Sequence, residues 1–209
     1  IPGVVPGIWP MDRFELAFGL YPLLAADLLD LPALQDVLEP QLDALGFALT
    51  EKGIGLSDHF YQDGDDTAAA LAILHTAGYL VDPSVLDRFR GAGVYYAFGG
   101  EIQKSISLTA RAVHTLRLFG QRDEAAVRLL LESQGDNGRW QDDKWHISWL
   151  YNTLHVVLAL APESEGTTAV MHAQDDLVHS QHASGGWGVT GEATPSETAY
   201  GLLALYTLH

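Results

Sequence analysis

The stretch Gln62-Asp63-Gly64-Asp65-Asp66-Thr67-Ala68 decides the fold of this chain, because three carboxylates within four residues lead directly into an apolar run that stops at Gly78. The acidic entry, Thr67 and the Ala/Leu-rich continuation predict one helix of about three turns. Free backbone N–H groups and the helix dipole favour ionised carboxylates on its first turn, whereas crowded like charges disfavour a full set of them. We therefore expect the cluster to retain one proton, and burial beside an apolar cavity would raise the pKa of its carboxyl groups.

Apolar residues recur at helical spacing along the rest of the chain. Residues 11–30, interrupted by Pro22, predict one helix or two short ones, and Pro32 begins an amphipathic helix that Gly53 and Gly55 end. Further helices are predicted at 83–89, 106–118, 123–131, 149–161, 168–178 and 196–208, and the Pro- and Gly-rich residues 1–10 are predicted to form a loop. Because no stretch alternates as a half-buried strand would, the predicted fold class is all-α.

Two segments share the pattern Gln-x3-Gly-x-Trp, Gln134 to Trp140 and Gln181 to Trp187, and lie 47 residues apart. That spacing is typical of a repeated helical hairpin. In each turn we expect Gln to bind backbone groups, Gly to supply an unusual φ, and Trp to staple the fold rather than contact a ligand. Acidic residues follow both patterns, Asp142-Asp143 and Glu197, and are predicted to begin the next helix.

Composition excludes several classes of function. The 209 residues carry a formal net charge of −16, with 27 acidic against 11 basic residues, which argues against binding nucleic acid or an anionic membrane. Cysteine is absent, which excludes a thiol nucleophile and suits a cytoplasmic location. No apolar run approaches the roughly 18 residues of a membrane-spanning helix. The histidines at 172, 179 and 182 lack metal-ligand spacing, so no protein metal site is predicted.

The acidic stretch resembles a known motif. Asp63-Gly64-Asp65-Asp66-Thr67-Ala68 is similar to the DxDD motif of class II terpene cyclases, which begin cyclisation by protonating an alkene or epoxide. The flanking segments 74–81 and 85–89 resemble those of copalyl-diphosphate-synthase-like diterpene cyclases, and the two repeats resemble the QW motifs of squalene and hopene cyclases. The resemblance implies an α/α barrel, the β domain of such a cyclase. Residues 1–209 are then expected to form a single domain, truncated and without its γ partner domain.

The resemblance also implies roles for the acids. Asp65, the middle acid of the motif, would donate the proton, and Asp63 and Asp66 would tune it by hydrogen bonding and charge. Gln103 falls where related enzymes carry an Asn that holds the catalytic Asp, so we predict that Gln103 supports the acid. The alternative is that the cluster is only an acidic cap on an ordinary helix.

A carbocation needs aromatic faces around it, since cation–π attraction stabilises it without capturing it. The glycine-bounded loop 91–100 supplies three candidates, and the segment 143–151, which resembles one found after the first QW motif in bacterial diterpene cyclases, supplies three more. The candidates are Tyr95, Tyr96, Phe98, Trp145, Trp149 and Tyr151. For each of them, packing in the core is an equally good expectation.

The function implied is conversion of a linear prenyl diphosphate, most simply geranylgeranyl diphosphate, to a bicyclic copalyl- or labdane-type diphosphate. Mg²⁺ would bind with the diphosphate, mainly through the missing γ domain, and no organic cofactor is expected. These 209 residues alone are expected to be inactive. A drimenyl-type cyclase of farnesyl diphosphate and a hopene-type cyclase remain alternatives, as do a two-carboxylate α/α-barrel glycosidase and a non-catalytic binding module. An apolar cavity at the first turn of the acidic helix would favour a cyclase, and a polar groove a glycosidase.

Overall fold

The computed structural model describes residues 11–209, and the regular structure in that range is helical, with only isolated β-bridges besides. This confirms the all-α prediction, while the predicted loop at residues 1–10 lies outside the described residues. The α-helices are α1 Asp12–Ala25, α2 Gln35–Ala48, α3 Gly64–Thr76, α4 Ile106–Leu118, α5 Glu124–Glu132, α6 Trp149–Leu160, α7 Thr167–His179 and α8 Pro195–Thr207, with short 3-10 helices at Pro32–Leu34, Pro83–Phe89 and Ser164–Gly166.

Of the eight α-helices in residues 11–209, five form an inner ring and three pack outside it. Around the ring α1 contacts α3, α3 contacts α4, α4 contacts α6, α6 contacts α8, and α8 returns to α1. Outside it, α2 packs on α1 and α3, α5 on α4, and α7 on α6 and α8. This is the α/α arrangement that the repeats predict. None of the described helices is both long and apolar enough to cross a bilayer.

Helix α3 begins and ends where its sequence predicts. Asp63 is the N-cap, and its side chain accepts a hydrogen bond of 2.8 Å from the backbone N–H of Asp66. All residues from Ala68 to Leu74 are buried, as a helix of an inner ring must be. Burying each of its Leu and Ile side chains stabilises the fold by about 1.5–3 kcal/mol. The acidic first turn is therefore held at one end of a well-packed helix.

The first Gln-x3-Gly-x-Trp turn staples the fold. Gln134 Nε2 donates to the carbonyl oxygens of Gly138 (2.9 Å) and Ala169 (2.7 Å), the second of which lies on α7. The indole of Trp140 is buried and donates to the carbonyl of Leu130 on α5 at 2.8 Å. The turn thereby ties two outer helices together, as predicted.

The second turn repeats this geometry. Gln181 Nε2 donates to the Gly185 carbonyl at 2.7 Å, and the indole of buried Trp187 donates to the Leu177 carbonyl on α7 at 2.8 Å. Gly201 on α8 lies flat against this ring, since a Cβ there would approach it to 2.9 Å. Both tryptophans are structural, which confirms the prediction.

The acids that follow the two repeats differ in their roles. Glu197 lies in the first turn of α8 as predicted and accepts a hydrogen bond from Ser148 Oγ at 2.8 Å. The prediction for Asp143 is wrong, because α6 begins only at Trp149. Asp143 instead accepts a hydrogen bond from the backbone N–H of Ser107 at 3.1 Å, so it caps α4 from a distant loop.

Candidate active site

The three carboxylates at the start of α3 line a cavity of about 270 Å³ at one end of the ring. The rest of its lining is aromatic or aliphatic except for one histidine. These residues are Phe14, Phe18, Leu56, Ala97, Phe98, Trp145 and His146. The acidic turn therefore opens into an apolar cavity, the environment that separates a cyclase from a glycosidase.

Asp63 is held in its neutral form by its surroundings. Burial raises the pKa of Asp63 to about 9, and the nearby charge of Asp66 adds to this effect. Its Oδ1 accepts the capping hydrogen bond from Asp66, while Oδ2 is buried without a partner among the described residues. A proton on Asp63 is thus favoured at neutral pH.

Asp66, like Asp63, is buried at the start of α3. Burial raises the pKa of Asp66 to about 7, and the charge of Asp65 raises it further, whereas Arg111 opposes the shift. Neither carboxylate oxygen of Asp66 has a hydrogen-bond partner within residues 11–209. Since two adjacent buried carboxylates resist joint ionisation, the Asp63–Asp66 pair retains a proton, in agreement with the sequence-based expectation.

Asp65 differs from its neighbours because it contacts a cation. The distance from Arg111 Nη1 to Asp65 Oδ1 is 2.6 Å, and the Arg111 side chain is only 3% exposed. Burial alone would lower the pKa of Arg111, but the charge of Asp65 together with the contributions of Tyr151 and Tyr21 raises that pKa overall, so the guanidinium stays charged. The carboxylate form of Asp65 is therefore stabilised at close range.

Arg111 is itself held rigidly beneath the cavity. Its Nη2 donates to the hydroxyl of Tyr151 at 2.6 Å and lies 3.0 Å from Nε2 of His155. Its guanidinium also lies over the rings of Tyr21 and Phe18, at 4.9 and 5.5 Å from their centroids. Desolvation holds the pKa of His155 well below its usual range, so this ring is neutral. Arg111 thus provides a fixed positive charge under Asp65.

The prediction that Gln103 supports the acid is wrong. Gln103 is exposed in the loop before α4, and within the described chain it makes no hydrogen bond to the carboxylates. The polar side chain that contacts Asp65 is Arg111, which the sequence analysis missed. One signal was available, since Arg111 lies between Ala110 and Ala112 on a helix whose neighbouring residues are apolar.

Three of the predicted aromatic residues face a cavity. Phe98 and Trp145 line the cavity that holds the acids, as predicted. Tyr151 lies behind Arg111 and lines a second cavity of about 120 Å³. Phe18 lines both cavities, whereas Tyr151 lines the second cavity and not the one that holds the acids.

The other three predicted aromatics do not line the acid-bearing cavity. Tyr95 is buried, and its hydroxyl donates to Asp123 at 3.0 Å. Trp149 is buried beneath the guanidinium of Arg139, 3.9 Å from its ring. Tyr96 is half-buried and does not line the acid-bearing cavity, and its backbone carbonyl lies against Gly64 of α3. The prediction that these residues line the pocket is wrong, because helix packing turns them inward or aside.

The sequence analysis also missed part of the wall. Phe14 and Phe18 stand one turn apart on α1, with ring centroids separated by 4.2 Å. The ring of His146 stacks on that of Tyr151, with 3.5 Å between their centroids, and His146 also lines the acid-bearing cavity. The four-residue spacing of the two phenylalanines marked a shared helix face, but not which cavity that face would meet.

The residues present do not fit a Mg²⁺ ion. Within residues 11–209, no three His, Cys, Asp or Glu side chains are grouped to hold a metal. Mg²⁺ needs ionised oxygen ligands in near-ideal geometry, whereas Asp63 and Asp66 retain a proton and Asp65 is paired with Arg111. The acid cluster is therefore equipped for proton chemistry.

Residues 102–207 match the family model of the squalene-hopene cyclase C-terminal domain. Among curated relatives, the (+)-kolavenyl diphosphate synthase of Herpetosiphon aurantiacus is 47% identical over 99% of this chain and 40% of its own length. The terpentedienyl-diphosphate synthase of Kitasatospora griseola is 31% identical over 97% of this chain and 42% of its own length. The chain thus spans about 40% of the length of these relatives.

Solved structures share the fold. The ent-copalyl diphosphate synthase from Streptomyces platensis superposes with a TM-score of 0.85 at 33% identity, over 99% of this chain and 41% of that one. The type II terpene cyclase MstE from Scytonema superposes with a TM-score of 0.74 at 16% identity, over 93% of this chain and 62% of that one. The second likeness shows the fold alone.

Proposed function

Because this chain belongs to the class II terpene cyclases, with a squalene-hopene cyclase C-terminal domain, we propose that it is the acid-bearing part of an enzyme that protonates and cyclises a linear prenyl diphosphate. One observation carries this proposal. Asp63, Asp65 and Asp66 open into a cavity whose remaining walls are almost entirely apolar. Protonating an unactivated alkene requires a strong acid in a dry site without a nearby nucleophile.

Asp65 is the proton donor in this proposal. Its proton adds to the terminal alkene, leaving a tertiary carbocation on the substrate and a carboxylate on Asp65. Arg111, whose Nη1 lies 2.6 Å from Asp65 Oδ1, stabilises that carboxylate as the proton leaves. The raised pKa values of Asp63 and Asp66, about 9 and 7, keep a proton within the cluster at neutral pH. The proton released when the cascade ends balances the one that Asp65 has given up.

The aromatic wall stabilises the carbocation while the rings close. Phe14 and Phe18 from α1 and Phe98 and Trp145 from the loops present their rings to the cavity. Cation–π attraction to each desolvated ring is worth about 1–2 kcal/mol. A base or water then ends the cascade by removing a proton or adding a hydroxyl group, and the diphosphate remains attached.

Geranylgeranyl diphosphate is the substrate we propose, and a bicyclic diphosphate the product. The relatives named for kolavenyl and copalyl diphosphate support this choice over farnesyl diphosphate or squalene. The apolar cavity and the family membership together speak against the glycosidase and the binding module. A drimenyl-type cyclase of farnesyl diphosphate stays the second candidate, because the cavity volume of this chain alone does not set the chain length accepted.

Another part of the enzyme completes the site. The lining residues Phe98 and Trp145 are partly exposed at the mouth of the cavity, and Ile102 and Ile147, close to them in sequence, have exposed apolar side chains. A γ domain would cover them, so we propose that residues 1–209 alone are inactive. That domain is also where Mg²⁺ and the diphosphate would bind, since the residues described here do not fit the ion. Absence of cysteine is the ground on which we propose a cytoplasmic location.

The test is turnover by the full-length enzyme. Incubation with farnesyl diphosphate, geranylgeranyl diphosphate and squalene, followed by dephosphorylation and mass analysis, should yield a cyclic isomer from geranylgeranyl diphosphate. Asp65→Asn should abolish it, because an amide has no proton acidic enough for an alkene. Asp175→Asn on α7 removes a similar charge outside the cavity and should leave turnover intact. An active Asp65→Asn enzyme would exclude the proposed donor.

A further inference from the structure

Two aromatic walls of the cavity come from loops rather than helices. Phe98 lies in the loop before α4 and Trp145 in the loop before α6. Their side chains are 36% and 55% exposed, so core packing alone does not hold them. Gly99 and Gly100 follow Phe98 directly, and a Cβ on either would meet no atom within 4 Å. Something other than close packing must fix the position of these rings.

An ion pair joins the two loops at this point. Lys144 Nζ lies 2.5 Å from Glu101 Oε1, and the two side chains are 5% and 23% exposed. The other oxygen of Glu101 accepts hydrogen bonds from the backbone N–H groups of Ala97 (2.9 Å) and Phe98 (3.4 Å). The ammonium of Lys144 also lies 4.6 Å from the ring centroid of Trp145. A continuous chain of polar contacts therefore runs from Phe98 to Trp145.

A second anchor holds the same loop at a different place. Asp143 accepts hydrogen bonds from Ser105 Oγ (2.9 Å), the Ser107 N–H (3.1 Å) and the Trp145 N–H (3.1 Å). These contacts fix the backbone of the loop onto the start of α4. The Glu101–Lys144 pair is thus the contact that joins this loop to the backbone at Ala97 and Phe98.

The pair depends on both partners. An ammonium that is almost fully removed from water is costly without its counter-ion, so neutralising Glu101 drives Lys144 out toward solvent. Lys144 then leaves the ring of Trp145, and the hydrogen bonds from the backbone N–H groups of Ala97 and Phe98 to residue 101 weaken, because a neutral acceptor replaces a charged one. Neutralising Glu101 therefore allows both Phe98 and Trp145 to move.

We propose that Glu101 and Lys144 are positioning residues, a clamp that sets the separation of Phe98 and Trp145 and thereby the shape in which the substrate folds before it is protonated. This inference rests on the proposed cyclase function. A loosened wall lets the substrate adopt other folds and admits water to the carbocation. Loss of the clamp therefore produces side products as well as a lower rate.

The test compares Glu101→Gln with a matched control in the full-length enzyme. Asp176→Asn breaks the ion pair with Arg139. Arg139 also covers a tryptophan ring, that of Trp149, but this partly exposed pair does not line the cavity. Glu101→Gln should lower the ratio of main product to side products about tenfold, as small displacements near a reacting centre can cost up to about 100-fold. Asp176→Asn should leave that ratio unchanged.

Hydrogen exchange supplies a readout that does not require turnover. Glu101→Gln should raise amide exchange in residues 94–104 and 141–148, and Asp176→Asn should not. Lys144→Arg keeps the charge while changing its shape, so it should restore low exchange and shift the product ratio less than Glu101→Gln does. If Glu101→Gln fails to fold, Lys144→Met serves in its place with the same two expectations.

The outcomes separate the two proposals. A wild-type product ratio in Glu101→Gln, or unchanged exchange in both loops, overturns the clamp while leaving the cyclase function in place. An enzyme that shows the exchange changes but cyclises none of the three substrates overturns the proposed function, and with it the role of the clamp in product choice.

Discussion

At the scale of single residues, Arg111 decides what the acid cluster can do. It is the cation that contacts Asp65, at 2.6 Å, and it is fixed from below by Tyr151 and His155. Without that charge the carboxylate of Asp65 would be destabilised by its partly buried position and by the neighbouring acids. The strength of the proposed acid therefore depends on a residue that never needs to contact the substrate.

Replacing Arg111 should consequently slow protonation more than it weakens binding. We expect Arg111→Met to lower kcat about 100-fold or more, the order lost when one preorganised charge is removed from a reacting site, with little change in KM. Arg111→Lys keeps the charge with fewer hydrogen-bond donors, so its kcat should lie between those of the wild type and Arg111→Met. Steady-state kinetics with geranylgeranyl diphosphate, together with a melting temperature for each variant, would decide this. Wild-type kcat in a folded Arg111→Met enzyme contradicts the role.

The raised pKa of Asp63 predicts how stability depends on pH. The native state holds a proton on Asp63 up to about pH 9, whereas the unfolded chain releases it near 3.8, so the native state binds more protons between these values. Stability must therefore fall as pH rises through this window, by up to about 1.4 kcal/mol per pH unit for one such group. Urea unfolding of the enzyme at pH 5, 7 and 9 should show the decline.

Asp63→Asn provides the control for this pH effect. The amide can still cap α3 through its oxygen but does not titrate, so the variant should lose part of the pH dependence between 5 and 9. Asp66, with a pKa of about 7, should account for what remains. An equally steep decline in Asp63→Asn would show that other groups carry the effect.

At the scale of elements, the two Gln-x3-Gly-x-Trp turns have the same geometry, but they differ in how closely other atoms approach their central glycines. Gly138 and Gly185 both adopt left-handed φ, +84° and +87°. A Cβ on Gly138 would lie 2.7 Å from the carbonyl oxygen of His172, whereas a Cβ on Gly185 would meet no atom within 4 Å. The first turn is therefore closed by packing as well as by backbone conformation.

Alanine at each glycine separates these two contributions. Gly185→Ala should cost only the left-handed strain, about 1–2 kcal/mol. Gly138→Ala adds a backbone clash and should cost about 2–4 kcal/mol in total. Denaturant unfolding of both variants gives the comparison directly. Equal losses would mean that α7 moves away from the turn at little cost.

At the scale of the whole molecule, two exposed apolar side chains can test whether another domain covers the cavity, as proposed. Ile147 is 96% exposed, one residue from His146 of the lining, while Phe47 is 92% exposed on α2, which packs outside the ring. If the γ domain covers the mouth, only the first of these apolar side chains is buried in the complete enzyme. The two residues therefore make a matched pair.

We expect Ile147→Asp to reduce kcat/KM of the full-length enzyme about tenfold or more, because it places a charge in an apolar interface beside the site. Phe47→Asp introduces the same charge and should leave kcat/KM within about twofold, as substitutions on an open surface usually do. Kinetics on the two variants checks this. Equal activity in both would place the covering domain elsewhere.

Local patterns in the sequence were sufficient for the helices, for the acidic first turn of α3 and for the two tryptophan turns. Helical periodicity, caps and glycine stops act within a few residues of one another, so Asp63 could be placed at the start of a helix from its neighbours alone. The same locality explains why the class II motif was recognisable, since its residues lie in one stretch.

Only the tertiary structure decided which side chains surround that motif. Arg111 meets Asp65 across 46 residues of sequence because α3 and α4 are neighbours in the ring, and Phe14 and Phe18 arrive from α1 on the other side. Helical periodicity predicted that a face was buried but not what it would pack against. Tyr95 and Trp149 were therefore candidates for the pocket and for the core alike, and the structure encloses both in the core. Which distant segments come into contact depends on how the helices pack around the ring, and local sequence patterns do not determine that packing.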